Sequence, residues 1–298
     1  MTGAASGAYD ELVNPNIRPM TPADIEPATR AILADDWGDR RSWFEFAAAH
    51  PHCRVFVAEG DDGSIVGTAV VTMNRPVAWI GTIWVASTAR RRGLGLALTE
   101  ATIDAAETAG CRTLLLVATQ SGRPLYERLG FAVQTWYVTL EAPGLPAAAG
   151  APAQDELPGP AVRAFRSADL DAMAALDRLA TGEDRRHLLA AFAAPDTTRV
   201  VTDHVDGPAG FVIRAPWGGG ATIASGAADA LAILRARRSA AGVDRRVRAG
   251  ILLENDTGAT ALAADGWTEA WRAPRLIRGD PLDWRPEHIW GQFNHALG

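Results

Sequence analysis

The sequence predicts an α+β protein made of two copies of one fold, each a mixed, mostly antiparallel sheet flanked by helices. Three observations carry this. The chain has 298 residues, about twice the usual domain length. A stretch crowded with Pro, Ala and Gly, LEAPGLPAAAGAPAQDELPGPA from Leu140 to Ala161, shows neither helical nor strand periodicity and reads as a linker. On either side the chain restarts alike, with Ile17-Arg18-Pro19-Met20-Thr21-Pro22-Ala23-Asp24-Ile25 before it and Val162-Arg163-Ala164-Phe165-Arg166-Ser167-Ala168-Asp169-Leu170 after it. The expected organisation is a first copy over 15–143, a linker over 144–160 and a second copy over 161–298.

The elements of the first copy follow from pattern. A strand at 15–20 runs into helices near 22–34, capped by Thr21, and 39–49. Strands follow near 53–59, 64–74 and 76–86, separated by turn residues such as Asp61-Asp62-Gly63. Then come a helix near 93–109, an apolar strand at 112–118, a short helix at 122–129 and a strand at 131–141. The second copy repeats these landmarks: Ser167 as cap, Val200-Val201-Thr202 for Val57-Ala58-Glu59, Asp206-Gly207 and Gly210 for the first turn and Gly67, and Gly266-Trp267 for Gly130-Phe131. One order shared by all of them indicates duplication.

Composition narrows the function classes. Hydrophobic residues make up 48% and charged residues 21%, the balance of a folding globular chain. The 29 basic residues are all arginine and the net charge is −6, which does not favour nucleic acid as a partner. Cys53 and Cys111 stand far apart without metal-ligand spacing, so no metal site is expected and both read as buried apolar residues. The start MTGAASGAYDELVNPN has no basic residue followed by an apolar run, and no membrane-length apolar stretch occurs. The expectation is a soluble, cytoplasmic protein.

The most informative segment is Trp79-Ile80-Gly81-Thr82-Ile83-Trp84-Val85-Ala86-Ser87-Thr88-Ala89-Arg90-Arg91-Arg92-Gly93-Leu94-Gly95-Leu96-Ala97-Leu98. An apolar strand enters an Arg/Gly turn that opens a helix. The first amides of a helix have no internal acceptor and carry the positive end of its dipole, so they attract an anion. Glycines at 93 and 95 let a bulky phosphate approach the backbone. The stretch is not GxGxxG, because Leu98 stands at its third glycine, and not a Walker loop, which needs a lysine. The spacing from Val85 through Arg90 and Gly93 to Gly95 resembles the acyl-CoA pyrophosphate loop of the GNAT N-acyltransferases. A second signature of that family lies at Leu114-Leu115-Leu116-Val117 followed by Thr119 and Leu125-Tyr126-Glu127, ending at Gly130-Phe131. The resemblance spans about 15–141.

The resemblance implies a GNAT N-acetyltransferase that uses acetyl-CoA as co-substrate and lets an amine attack the thioester directly. It assigns Ile83, Trp84 and Val85 to the strand that polarises the thioester carbonyl through backbone N–H. Arg90, Arg91, Arg92, Gly93, Leu94, Gly95 and Thr119 are assigned to donor binding, and Tyr126 is the acid for the leaving thiolate. The carboxylate that many relatives carry near the start of the fourth strand is missing from Ala78-Trp79-Ile80-Gly81-Thr82. Asp35, Asp36, Glu45, His50 and His52 stand as candidates for the base. Asp35, Asp36, Trp37, Trp43 and Trp79 are expected to line the acceptor site, the tryptophans as walls and the aspartates as receivers of an ammonium. The implied partner is a small-molecule amine; no membrane partner is expected, and the number of chains in the assembly stays open.

The second copy lacks this equipment. Its matching segment, Trp217-Gly218-Gly219-Gly220-Ala221-Thr222-Ile223-Ala224-Ser225-Gly226-Ala227-Ala228-Asp229, has no R-x-x-G-x-G. Aligning Gly258 with Gly122 and Gly266 with Gly130 places Leu262 opposite Tyr126 and Asn255 opposite Thr119. This half reads as a degenerate copy supporting the first, with the aromatic tail Trp284 to Asn294 docked on a domain. Two alternatives remain at this stage. One is an aminoacyl-tRNA donor, suggested by Arg235, Arg237, Arg238, Arg245, Arg246 and Arg248. The other is a non-catalytic module that senses CoA or an amine.

Overall fold

A computed structural model describes residues 16–146, 160–202 and 207–298. Most of the expected linker, and the start of the expected first strand, lie outside these residues. In chain order the first half contains β1 (Asn16–Pro19), α1 (Ile25–Ala34), α2 (Arg41–Ala49), β2 (Cys53–Glu59), β3 (Ile65–Asn74), β4 (Val77–Val85), α3 (Leu94–Thr108), β5 (Thr113–Val117), α4 (Arg123–Arg128) and β6 (Ala132–Pro143). The second half contains β7 (Ala161–Ala164), α5 (Leu170–Thr181), α6 (Arg186–Phe192), β8 (Thr198–Thr202), β9 (Pro208–Arg214), β10 (Gly220–Ala224), α7 (Ala227–Ala241), β11 (Arg246–Leu252), α8 (Asp256–Ala264), β12 (Thr268–Gly279) and β13 (Ile289–Gly291). The succession predicted for the first copy recurs in both halves.

The sequence repeat shows in side-chain detail at the first turn of each copy. Arg18 forks onto Asp24 through bonds of 2.7 and 2.8 Å, and Asp24 also accepts from the backbone N–H and hydroxyl of Thr21. Arg163 forks onto Asp169 at 2.7 Å through both nitrogens, and Asp169 accepts from the N–H of Arg166. Such paired planar geometry is the strongest form of a carboxylate–cation bond. One expectation is corrected here. Arg166, not Ser167, occupies the cap position, because Asp169 reaches back three residues to Arg166 N–H and leaves Ser167 inside the turn.

Compactness divides along a different line from the repeat. One compact unit holds the residues up to Val71 together with Thr82–Ala105, and the other holds Thr72–Gly81 with Ala106–Gly298. The first contains β1, β2, most of β3 and the second half of β4, neighbours in that order. β1 and β2 run antiparallel from Asn16↔Glu59 to Pro19↔Phe56. Ala58, Ala69, Ala89, Leu94 and Leu98 form its buried cluster, with Phe56, Ile83 and Val85 packed on it.

In the second unit the first half of β4 pairs in parallel with β5 over Val77–Trp79, and the order continues β5, β12, β6, β11, all antiparallel. Thus β12, the last long strand of the second copy, lies between β5 and β6 of the first, and β6 lies between β12 and β11. The last long strand of the second copy is thus paired on both sides with strands of the first, and β6 of the first is paired on both sides with strands of the second. This exchange, held by a run of backbone bonds from Gly279↔Thr113 to Arg275↔Val117 and onward along β6, explains why the linker is not the boundary between compact units. A second sheet, ordered β13, β10, β9, β8, β7, is antiparallel throughout. Cys53 and Cys111 are buried and form no disulfide. Among the described residues no helix is long and apolar enough to cross a membrane, and no group of three or more His, Cys, Asp or Glu is placed to hold a metal ion.

Candidate functional site

The Arg/Gly corner joins β4 to α3. After Val85 the chain makes a tight turn at Ser87–Ala89, extends at Arg90, and enters the left-handed region at Arg91 (φ 65°) and Gly93 (φ 83°). A left-handed non-glycine residue is strained, and alternation of hand along a turn aims successive N–H groups toward one point. The helix starts at once, its first bond running from Ala97 N–H to the carbonyl of Gly93 at 3.0 Å. Buried Leu94 and Leu98 seat it on Ala58 and Ala69. The corner is therefore rigidly founded and open at its tip, where Arg91, Arg92 and Gly93 are exposed.

Arg90 faces inward. Its Nε donates to the carbonyl of Val85 at 2.9 Å and its Nη2 to Asp35, which also accepts from Trp84 Nε1 at 3.0 Å. Asp35 thus binds the strand and the loop rather than standing free for an ammonium, and Arg90 braces the turn. Among the described residues no ion pair reaches Arg91 or Arg92. Trp84 is buried, so what it offers a donor is its backbone. Ile83 and Val85 are half-buried on the same strand. Just before them Thr82 is left-handed (φ 52°), its hydroxyl accepting from Trp43 Nε1 at 2.9 Å and its carbonyl from Thr68 Oγ1 at 3.0 Å. For a β-branched residue in a strand this is a true outlier, and it interrupts the alternation of β4 next to the expected carbonyl site.

Tyr126 lies on α4, edge-on to Phe131 with ring centroids 6.3 Å apart. Burial pushes its phenol up to about 12, which keeps it protonated at neutral pH. Thr119, exposed before α4, accepts from Gly122 N–H through Oγ1 at 3.1 Å. Asn255 accepts from Gly258 N–H at 2.8 Å in the second copy, where it caps α8, so the two aligned side chains each accept from the N–H three residues on although α4 itself is capped by Gly122.

The expected acceptor wall is corrected by burial. Trp79 is 0% and Trp43 2% exposed; each gives its indole N–H to the chain, Trp79 to Glu183 at 3.0 Å from both oxygens and Trp43 to Thr82. Fully covered rings cannot line an open pocket. Trp37 is half-buried and Asp36 exposed with φ 62°. Among the other candidates for the base, Glu45 is exposed, and His50 is lowered by burial and then by neighbouring His52, its ring 5.7 Å away. The second-half arginines are engaged as well. Arg235 and Arg238 pair with Asp265, Arg246 and Arg248 with Glu141, and Arg237 donates to the carbonyl of Arg248.

Pattern reading missed a buried polar group behind β4. Glu183, in the turn between α5 and α6, accepts from Trp79 and from Asn74 Nδ2 at 2.7 Å. Burial raises its carboxyl, against the pull of Arg185, Trp79, Asn74 and Arg275. Arg275, in mid-β12, lies with its guanidinium 5.2 Å from the Trp79 ring and 4.2 Å from Trp284 and donates to Gln134, and burial lowers it to about 10. Residues of the tail close on β3 and β4: Asn74 Nδ2 donates to the carbonyl of Leu297 at 3.0 Å, and a Cβ on Gly81 would meet Ala296 Cβ and the His295 carbonyl at 2.6 Å. The glycine of Trp79-Ile80-Gly81 was the visible signal, since a strand glycine often marks close approach of another backbone.

The family described as Acetyltransferase (GNAT) matches residues 21–131. Among solved structures, a proposed acetyltransferase from Pyrococcus horikoshii is similar over 100% of both chains, with TM-score 0.77 and 20% identity. A GCN5-related N-acetyltransferase from Sphaerobacter thermophilus matches over 90% of this chain and 98% of its own, with TM-score 0.63 and 18% identity. A tandem GNAT protein from the clavulanic acid biosynthesis pathway matches over 91% and 100%, with TM-score 0.60 and 15% identity. None of the curated proteins matches the chain. A domain that matches the GNAT acetyltransferase family therefore spans residues 21–131, in a chain that shares its fold with a tandem GNAT protein.

Proposed function

We propose that this chain transfers an acetyl group from acetyl-CoA to the amine of a small molecule. The observation that carries the donor half is the β4–α3 corner, where left-handed Arg91 and Gly93 precede a helix start and exposed arginines flank it. Its amides and Arg91, Arg92, Gly93 and Gly95 suit a pyrophosphate, each charge-assisted bond contributing about 1.5–3 kcal/mol. Arg90 serves as the brace of that loop.

In the reaction the amine nitrogen attacks the thioester carbonyl, the C–N bond forms and the C–S bond breaks. The ammonium proton passes to water or a base, and the thiolate leaves. Tyr126 is the donor toward that thiolate. A phenol near 12 facing a thiol of about 8.5 does not surrender its proton to a free thiolate; it stabilises the forming charge by a hydrogen bond, and the released thiolate takes its proton from solvent. The acceptor is written as a small amine without an aromatic preference, because the rings that suggested one are covered. No observation favours aminoacyl-tRNA, since four of the six arginines that suggested it pair with Asp265 and Glu141.

The test is acetyl-CoA binding followed by an amine panel scored by release of free CoA thiol. Tight binding with acceptor-dependent thiol release supports the proposal. Absence of any acetyl-CoA binding rejects it.

A further inference from the structure

In the first copy β4 and β5 are paired only over Val77–Trp79 and Thr113–Leu115; the resemblance puts the donor thioester against the strand beyond. The counterparts in the second copy are β10 and β11, and they do not pair. β10 has β9 on one side and on the other a segment of its own chain, β13, with Thr222 opposite Gly291 and Ile223 opposite Ile289. Gly220 N–H donates to the carbonyl of Gln292 at 3.2 Å. β13 and the turn Pro286–His288 also pack against β11, and that turn reaches α8.

Trp290 is 1% exposed and sits among Ala224, Ala230, Leu234, Val247, Ile251 and Leu262, residues of β10, α7, β11 and α8. Asn255, the partner position of Thr119, donates through Nδ2 to the carbonyl of Glu287 at 3.0 Å. The strand edge that could pair with the amides of a donor's pantetheine arm is therefore occupied by main chain. Asp229 in the first turn of α7 places negative charge where a pyrophosphate would need the opposite.

We propose that residues 286–291 take the place of the acyl donor in the second copy, so that this chain binds one donor and its second cleft is closed by its own tail. The inference rests on the first-copy reading for where a donor would lie, but the two fail separately. Native mass spectrometry of the full chain titrated with acetyl-CoA reads the stoichiometry. One donor is expected in the native chain and none in Gly95→Glu; two in the native chain overturn the closed cleft, whereas one in the native chain retained in Gly95→Glu overturns the loop assignment of the first copy. No donor in the native chain sinks the first-copy reading instead.

Hydrogen exchange decides the tail's position in every case. Peptides covering 220–224 and 286–291 should be protected to the same degree with and without saturating acetyl-CoA. Rapid exchange at 286–291 in the native chain, or loss of protection there on adding acetyl-CoA, overturns the proposal. Trp290→Ala should raise exchange in both segments at least tenfold while the first-copy donor remains bound; unchanged protection in that folded variant also overturns it.

Discussion

The β4–α3 corner and the β10–α7 corner occupy the same place in the two copies and have been put to opposite uses. The first turns through left-handed Arg91 and Gly93 and leaves arginines exposed at a helix start. The second passes through Ser225 and an extended Gly226 straight into α7, with Asp229 in the first turn and β13 along the strand. One fold thus carries an open, arginine-rich corner in one copy and a corner whose strand is covered by its own chain in the other. The acidic residues behind β4 repeat the lesson. Asp35 of the first copy holds Trp84, and Glu183 of the second holds Trp79.

The largest effect is expected from placing charge at the open corner. Gly95→Glu should weaken acetyl-CoA by about 10³-fold or more, the loss of two or three charge-assisted bonds, measured by calorimetry. Gly226→Ala at the filled corner has ordinary space around its new Cβ, with Asp229 Oδ2 at 3.7 Å, and should leave donor affinity unchanged. Equal effects at both corners would erase the contrast.

Next comes the carboxylate that the second copy supplies. Glu183→Ala leaves Trp79 Nε1 and Asn74 Nδ2 without their buried acceptor and should cost about 3–5 kcal/mol, lowering Tm by about 10 °C. Asp171→Ala, which breaks the exposed pair with Arg186 in the same copy, should cost no more than about 0.5–1 kcal/mol. Equal shifts in thermal unfolding would contradict the burial argument.

Tyr126→Phe should lower kcat by about 10²-fold with acetyl-CoA affinity unchanged, and Leu262→Met at the aligned second-copy position should change neither. A drop in affinity matching the drop in kcat would assign Tyr126 to binding.

The smallest effect sharpens what the copies share. Hydrogen bonding from Arg18 and Arg163 holds the carboxyls of Asp24 and Asp169 below the usual carboxylate range. A lowered carboxyl stabilises the fold above its unfolded value, near pH 4, and that stability is lost as pH falls through the lowered range. Arg18→Gln and Arg163→Gln should each reduce stability at pH 7 by about 1 kcal/mol and flatten the acid side of the stability profile, followed by denaturation at pH 7 and pH 3. A steeper acid fall in either variant would reverse the sign of the argument.

Much of this was legible without coordinates because it is written locally. The order of elements follows from apolar period and turn residues, the donor corner from Arg90, Gly93 and Gly95, and the repeat from the spacing of Arg18 to Asp24 and Arg163 to Asp169. Those signals depend on residues within one or two turns of each other. The burial of Trp43 and Trp79 was not legible, since a tryptophan beside polar residues reads the same whether it walls a pocket or gives its N–H to a buried acceptor. Glu183 was equally hidden, because GEDRRH looks like any solvated helix connection until Asn74 and Trp79 arrive from a hundred residues away.

By itself, then, the sequence determined the succession of elements in two copies of an α+β fold, one Arg/Gly corner at a helix start and one corner without it, since backbone hand, helix starts and apolar period are properties of short segments. Tertiary structure alone decided that β12 enters between β5 and β6, that Asp35 and Glu183 grip β4, and that residues 286–291 fill the second cleft. Strand exchange and buried polar pairing depend on which surfaces meet. Edge strands of two similar copies carry nearly the same pattern, so only the assembled sheet could choose among their pairings.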